Sequence, residues 1–221
     1  MITFSNPMYW GEKNCIQPTD IANTGYVPGD NPAAEHENYF RRQTYLCLQE
    51  LQSTVKMLYE SVNVMLPYVV LDSGICGEDT EYSHFADGTL RVTGDGSINE
   101  RAFELKDDFN FLEINIGGDI GAGAFVGCEW LNSVTVNCKK ICDNVFCVCP
   151  RLNHLIIEKS VSEIGSGIIF GSAFHIGRGV RIEYTGTMAE WNAIKKAADW
   201  IGDQVVVENG VVNCSDGTVE V

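Results

Sequence analysis

The chain has 221 residues, enough for one ordinary domain or two small ones, and its 45% hydrophobic content lets it bury a core rather than remain disordered. Its net charge is −15, and so acidic a surface repels phosphate backbones and anionic lipid heads, which excludes nucleic-acid binding and electrostatic membrane binding. The charge is −3 over residues 1–66 and −12 over residues 67–221, so the C-terminal part carries the field.

Residues 1–32 read as an irregular segment. They lack the basic start and apolar run of a signal peptide, and no stretch of the chain approaches the roughly 20 apolar residues of a membrane span. No membrane insertion is expected. The nine cysteines are odd in number and irregular in spacing, which argues against a full disulfide framework, and most are expected to be reduced.

A helix is predicted over residues 33–66, a stretch without Gly or Pro that Pro67 ends. Leu48, Leu51, Val55, Leu58, Val62 and Met65 are spaced 3-4-3-4-3, a heptad seam. The flanking positions, Gln52, Thr54, Tyr59 and Ser61, are uncharged, so ion pairs do not set the partner. Two readings stay open. The helix lies against the N-terminal edge of the repeat region that follows, or it forms a parallel homo-oligomeric coiled coil. Valine and leucine placement favours a dimer, while three heptads also permit a trimer. The residues entering this helix are Pro18-Thr-Asp-Ile21, Thr24-Gly-Tyr-Val-Pro-Gly-Asp-Asn-Pro-Ala-Ala-Glu35 and Asn38-Tyr-Phe40. Over about residues 9–40 they resemble the N-terminal attachment segment of phage tail-fibre proteins. That resemblance implies a trimeric stem and export with the virion.

Residues 98–183 repeat. Anchored at Ile98, Ile120, Ile141 and Ile164, the spacings are 22, 21 and 23. Four and five residues after each anchor come Ala102-Phe103, Ala124-Phe125, Val145-Phe146 and Ile168-Ile169. Eleven after come Phe109, Leu131 and Leu152; fourteen after, Leu112, Val134 and Leu155; sixteen after, Ile114, Val136 and Ile157. The last two columns alternate as a short strand with one face inward. In the fourth unit the strand is expected to slip by two, onto Val180 and Ile182. Upstream, Leu90 and Val92 fit the strand columns as a half-repeat. One unit cannot offset the ordering of its own residues, whereas stacked units share a continuous core.

Residues 67–97 and 184–221 read as caps. Thr187-Met-Ala-Glu190 has capping-box spacing. Trp191, Ile194, Ala198 and Trp200 form a helical stripe that can cover the last repeat. Asn209-Gly210, between Val205–Val207 and Val211-Val212, is a hairpin signal.

Ile120-Gly-Ala-Gly-Ala-Phe-Val-Gly-Cys128 followed by Leu131-Asn-Ser-Val-Thr-Val136 resembles the bacterial BspA-type leucine-rich repeat. Ser73-Gly-Ile-Cys-Gly77 with Gly88-Thr-Leu-Arg-Val-Thr-Gly94 resembles the family's N-terminal cap hairpin. Tyr184-Thr-Gly-Thr-Met-Ala-Glu-Trp-Asn-Ala-Ile194, Trp200 and Cys214-Ser-Asp-Gly217 resemble its C-terminal end. Tyr82 in place of Trp, Lys106 in the Cys column and the degenerate fourth repeat depart from the pattern. The resemblance covers about residues 72–221. It implies an α+β repeat fold, a short leucine-rich-repeat solenoid with a parallel strand ladder, preceded here by a long α-helix. It further implies a surface-exposed or secreted binding protein or adhesin without catalytic residues.

Chemistry-bearing groups are sparse. Cys138-x3-Cys142-x4-Cys147-x-Cys149 lacks the paired knuckles of structural zinc, and Cys128 and Cys149 share one repeat column, so they read as core. A Cys76–Cys214 link would need opposite ends of the solenoid to meet. His36, His84, His154 and His175 fall in no catalytic motif, and the Asp87-Gly88 and Asp95-Gly96 turns lack a calcium loop. No cofactor or metal is expected, and no enzymatic activity.

The outward columns of the strands are the candidate binding surface. One row is Arg91, Glu113, Thr135, Ile156 and Arg181; the next is Thr93, Asn115, Asn137, Glu158 and Glu183; Phe111, Ser133 and His154 border them. Ligand contacts are expected from Arg91, Glu113, Asn115, Thr135, Asn137, His154, Glu158 and Arg181. The expected partner is a cell-surface protein or glycan. The expected location is a virion or the extracellular space if the chain is phage-derived, and otherwise a bacterial cell surface, where it would act as an adhesin or interaction module.

Overall fold

The computed structural model describes residues 34–173 and 179–221, with side chains from residue 44 onward. The irregular segment 1–32, the greater part of the stretch that resembles tail-fibre attachment regions, Cys15 and His175 lie outside the described residues. The chain divides into two units, one ending at Val64 and one beginning at Met65. Helix α1 runs Ala34–Met65 and gives way to a 3-10 turn, Leu66–Tyr68, as Pro67 enters. All six seam residues are between 43% and 59% exposed. Among the described residues no helix is long and apolar enough to cross a membrane.

Beyond Met65 the chain winds as a parallel-stranded solenoid. Its wide sheet consists of β1 (Val70–Gly77), β2 (Thr80–Phe85), β3 (Thr89–Gly94), β4 (Phe111–Ile116), β6 (Ser133–Asn137), β8 (His154–Ile157), β10 (Val180–Tyr184), β12 (Val207–Cys214) and β13 (Gly217–Glu220), paired in that order. A narrow sheet stacks β5 (Asp119–Ile120), β7 (Lys140–Ile141), β9 (Glu163–Ile164) and β11 (Lys195–Lys196), so the anchor isoleucines form its rungs. Strands β1, β2 and β3 make an antiparallel cap, and β3 then pairs in parallel with β4, Leu90 against Leu112 and Val92 against Ile114. The half-repeat is therefore the first rung of the ladder.

Between the sheets the columns close on one another. Leu112, Val134 and Leu155 are at most 1% exposed, as are Ile120, Ile141 and Ile164. Phe103 stacks on Phe125 with ring centroids 5.0 Å apart, and Phe125 on Phe146 at 5.7 Å. Adjacent turns are also joined by their backbones, as Phe103 N–H donates to the Ala124 carbonyl, Phe125 to Val145 and Phe146 to Ile168. Buried groups of the turns are thus satisfied by the next coil, which is why no coil is self-sufficient. The column eight after the anchor makes a further ladder. The Cys128 thiol donates to the Phe103 carbonyl, Cys149 to Phe125, and the Ser172 hydroxyl, where the fourth coil has no cysteine, to Phe146.

The C-terminal end differs from expectation in four respects. The slip in β10 is four residues, not two: Ile182 pairs with Leu155 and Tyr184 with Ile157. A shift by two leaves the same face inward, and Val180, Ile182 and Tyr184 are all buried, so alternation cannot fix this register. Second, the capping box forms, but α2 spans only Met188–Ala193, and Ala198 and Trp200 follow it outside the helix. Ala198 is exposed, and Ala197 packs against the core in its place. Third, a fifth coil exists. Lys196 occupies the anchor rung beside Ile164, and the Trp200 and Ile201 carbonyls accept from Ile168 and Ile169 N–H as the next turn of a coil would. Its anchor lies 32 residues after Ile164 because α2 and its flanks are inserted. Fourth, Asn209-Gly210 is no hairpin turn. Strand β12 runs through it as a bulge, both residues at positive φ, while the ladder shifts from Val180–Val207 to Ile182–Val212. The tight turn falls instead at Ser215-Asp216, where Cys214 faces Gly217.

Lys196 closes the open end. Its Nζ donates to the Trp191 and Ile194 carbonyls and lies 4.6 Å from the Trp191 ring centroid, and burial pushes its pKa below the usual lysine range.

Candidate functional site

The outward side of the parallel ladder carries polar side chains because strand residues alternate and the inward ones fill the core. The observed register sorts them into three rows. The middle row is Arg91, Glu113, Thr135, Ile156, Glu183 and Asn213. On one side lie Thr89, Phe111, Ser133, His154 and Arg181. On the other lie Thr93, Asn115 and Asn137, continued by Glu158 through its N–H to the Val136 carbonyl and by Thr185. Arg181 and Glu183 therefore each stand in a different row from the expected one, a direct consequence of the four-residue slip.

Six of the eight expected contact residues come together. Arg91, Glu113, Asn115, Thr135, Asn137 and Glu158, with Thr93 and Ile114, line a depression of about 320 Å³. Its walls are held by bonds between rungs. Arg91 Nε donates to Glu113 Oε2 at 2.8 Å, and its guanidinium sits 5.0 Å from the centroid of the Phe85 ring. Asn137 Nδ2 donates to Asn115 Oδ1 at 2.7 Å, and Thr185 Oγ1 to Glu158 Oε2 at 2.8 Å. These bonds fix side-chain rotamers before any ligand arrives, which lowers the entropic cost of binding.

His154 and Arg181 belong to a separate group around Glu183. Arg181 Nη2 lies 2.6 Å and His154 Nε2 3.3 Å from Glu183 Oε1, the latter without a hydrogen bond. Ser160 and Thr185 escaped the sequence reading. Ser160 Oγ donates to Asn137 Oδ1, and Thr185 both donates to Glu158 and accepts from Lys159 N–H. Ser160 lies beyond the last alternating strand position, and Thr185 enters the row only once β10 is in its true register.

The opposite, narrow sheet has a different electrostatic pattern. The residue before each rung is Asp119, Lys140, Glu163 and Lys195 in turn, so neighbouring charges alternate. Lys140 Nζ lies 2.8 Å and Lys195 Nζ 3.4 Å from Glu163 Oε1. The Lys140 ammonium, then that of Lys195, holds the Glu163 carboxyl below the usual carboxylate range.

Cys138 and Cys149 are buried in the core, while Cys142 and Cys147 are half-buried. Among the described residues no three His, Cys, Asp or Glu side chains are grouped to hold a metal ion. What the depression offers chemically is a set of carboxylate, amide and hydroxyl groups with one guanidinium, suited to reversible hydrogen bonding.

No family model and no curated protein matches the sequence. Among solved structures, a leucine-rich repeat protein from Eubacterium ventriosum ATCC 27560 is 14% identical, with 58% of this chain and 44% of that one aligned at a TM-score of 0.36. A leucine rich cell surface protein from Faecalibacterium prausnitzii A2-165 is 19% identical, with 54% of this chain and 41% of that one aligned at a TM-score of 0.34. The chain thus spans less than half the length of either.

Proposed function

We propose that this chain is a non-enzymatic binding protein whose BspA-type leucine-rich-repeat domain presents the outward face of its ladder to a cell-surface protein or glycan. The observation that carries the reading is the 320 Å³ depression lined by Arg91, Glu113, Asn115, Thr135, Asn137 and Glu158, whose polar groups are prearranged by bonds between rungs. A face of carboxylates, amides and a hydroxyl complements a ligand rich in hydroxyl and amide groups, and it repels polyanions. In the same reading copies of the chain join through the heptad seam Leu48, Leu51, Val55, Leu58, Val62 and Met65, as a dimer or trimer. The resemblance of about residues 9–40 to tail-fibre attachment segments supports a phage or prophage tail-fibre-like role. A bacterial surface adhesin with no virion role is the second reading, favoured if the helix does not associate.

The test compares the wild-type chain with a Glu113→Ala/Asn115→Ala/Asn137→Ala variant on a glycan array and on whole bacterial cells. A wild-type signal that falls about tenfold or more in the variant, with unchanged circular dichroism, supports the reading. Equal signals from the two proteins would overturn it.

A further inference from the structure

The row that carries Asn115 and Asn137 does not stop at Thr93. In the antiparallel cap Thr93 pairs with Glu81 on β2, and Glu81 with Ile75 on β1. Residues opposite one another in a sheet share a face, so one outward row runs Ile75, Glu81, Thr93, Asn115, Asn137 and Glu158. Two depressions lie along this row and meet at Thr93. One is the depression of about 320 Å³ on the ladder; the other, of about 510 Å³, has Ile75, Asp79, Glu81, Thr93 and Asp95 in its walls.

Charge along this trough is one-sided. Asp79, Glu81, Asp95, Glu113 and Glu158 line it with a single cation, Arg91, whose Nε is bonded to Glu113 at 2.8 Å. Among the described residues Asp79, Glu81, Asp95 and Glu158 take part in no ion pair. The acids are also dispersed, and among the described residues no three are grouped to hold a metal ion. The trough therefore complements several cations held apart on one molecule, not one ion. Neighbouring strands lie about 4.8 Å apart, so Glu81 and Glu158 stand about 19 Å apart, the span of about six residues of extended peptide.

The groups between and around these acids suit a peptide. Ser160 Oγ donates to Asn137 Oδ1 and Asn137 Nδ2 to Asn115 Oδ1, which leaves Asn115 Nδ2 to donate to a backbone carbonyl. Lys159 N–H donates to Thr185 Oγ1 and that hydroxyl donates to Glu158 Oε2, so the carboxylate is held in place. Ile75, 84% exposed, offers apolar surface to the aliphatic stem of a lysine. Among the described residues no aromatic ring lines either depression to stack on a sugar.

We propose that this row binds a basic, extended segment of a partner protein, whose lysine or arginine side chains meet Glu81, Asp95 and Glu158. It rests on the ladder face being the binding surface, as proposed above, narrows the partner to a protein, and extends the site onto the cap. Salt weakens such binding, because the carboxylates lie at the surface.

The test measures fluorescence anisotropy of a short labelled peptide of alternating lysine and alanine, titrated with the full chain at an ionic strength of about 0.15 M. A glutamate–alanine peptide and a labelled chitosan oligomer are the comparison probes. The row variant is Glu81→Gln/Asp95→Asn/Glu158→Gln. A control variant, Glu100→Gln/Glu129→Gln/Glu220→Gln, removes the same charge at exposed acids off the row. All six changes are isosteric, and circular dichroism verifies the fold. The expected result is binding of the lysine peptide alone, weakened about tenfold or more in the row variant and under about twofold in the control. Equal weakening in both variants assigns the binding to the general acidic field and overturns the row. So does a row variant that binds as tightly as wild type, a wild type that binds no lysine peptide, or a preference for chitosan. The same proteins are then applied to whole bacterial cells. Cell binding lost by Glu113→Ala/Asn115→Ala/Asn137→Ala but kept by the row variant overturns the basic partner and leaves the ladder face standing. Cell binding kept by both, with no peptide bound, overturns the two readings together.

Discussion

Cys149 donates its thiol hydrogen to the Phe125 carbonyl of the coil before it, across 3.3 Å. Cys128 makes the same bond to Phe103 and Ser172 makes it to Phe146, so the column is defined by a buried donor rather than by sulfur. The backbone of each turn is closed by a side chain of the next coil. Cys149→Ser therefore keeps the bond, as Ser172 already does, and should cost under about 1 kcal/mol. Cys149→Ala strips the Phe125 carbonyl of that donor and leaves a small void, for about 2 kcal/mol, a fall of about 4–8 °C in Tm. Thermal denaturation of the two variants checks the order, and an equal loss in both would mean that the sulfur itself matters.

Alkaline pH should destabilise the solenoid through the core thiols. Burial pushes the Cys76 thiol up to about 11 and the Cys138 thiol up to about 12, from 9.0. The Cys128 thiol is raised as well, by the neighbouring Cys149 thiol first and by burial second. The folded state holds these protons where the unfolded state has released them, so their contribution is fully present below pH 9.0 and lost as pH rises toward 11 and 12. Urea midpoints should hold steady up to about pH 8.5 and fall above it. Cys138→Ala should flatten that fall. A midpoint independent of pH up to 10.5 would contradict the argument.

Two positions of each turn sit in the left-handed region. In the column seven after the anchor, Gly127 and Gly171 adopt φ of 71° and 66°, but Leu105 and Val148 adopt 59° and 55°. A β-branched side chain there is strained. Val148 is 49% exposed, so little burial is lost on removing it. Val148→Gly should raise Tm by about 2–4 °C, a gain of about 1 kcal/mol. Gly127→Val should do the reverse and cost about 2 kcal/mol, since its Cβ would also meet Leu105 Cδ2 at 2.6 Å. Calorimetry of both variants decides whether the column, rather than the residue, sets the strain.

The short helix α2 depends on its cap. Glu190 N–H donates to Thr187 Oγ1 at 3.2 Å, and Thr187 N–H donates to Glu190 Oε2 at 2.7 Å. The Thr187 backbone N–H holds the Glu190 carboxyl below the usual range, so its help is present above pH 4.5 and is lost as pH falls through the lowered value. Thr187→Ala should cost about 1 kcal/mol at neutral pH. Hydrogen exchange at Trp191, which the helix places over the last coils with 1% exposure, should speed up in the variant while the middle rungs stay protected. Uniform acceleration along the ladder would show instead that the cap unfolds only with the whole.

Much of this architecture was written in one dimension. Apolar residues recurring every 21 to 23 positions fixed the rungs, the phenylalanine stack and the outward rows from β3 to β8, because burial of one face is a local alternation and stacking repeats it. The cysteine column was legible for the same reason, although its carbonyl partners were not. Only tertiary pairing decided the rest. A two-residue shift in β10 buries the same alternate face, so hydrophobicity could not choose between Val180 and Ile182 as the partner of Leu155, and the places of Arg181 and Glu183 followed from that choice. Asn209-Gly210 has the same left-handed backbone in a bulge as in a hairpin, and the neighbouring strand determines which of the two it becomes. The fifth coil lay hidden because its anchor is a lysine and a helix interrupts its spacing, so it is recognisable only where Lys196 meets Ile164.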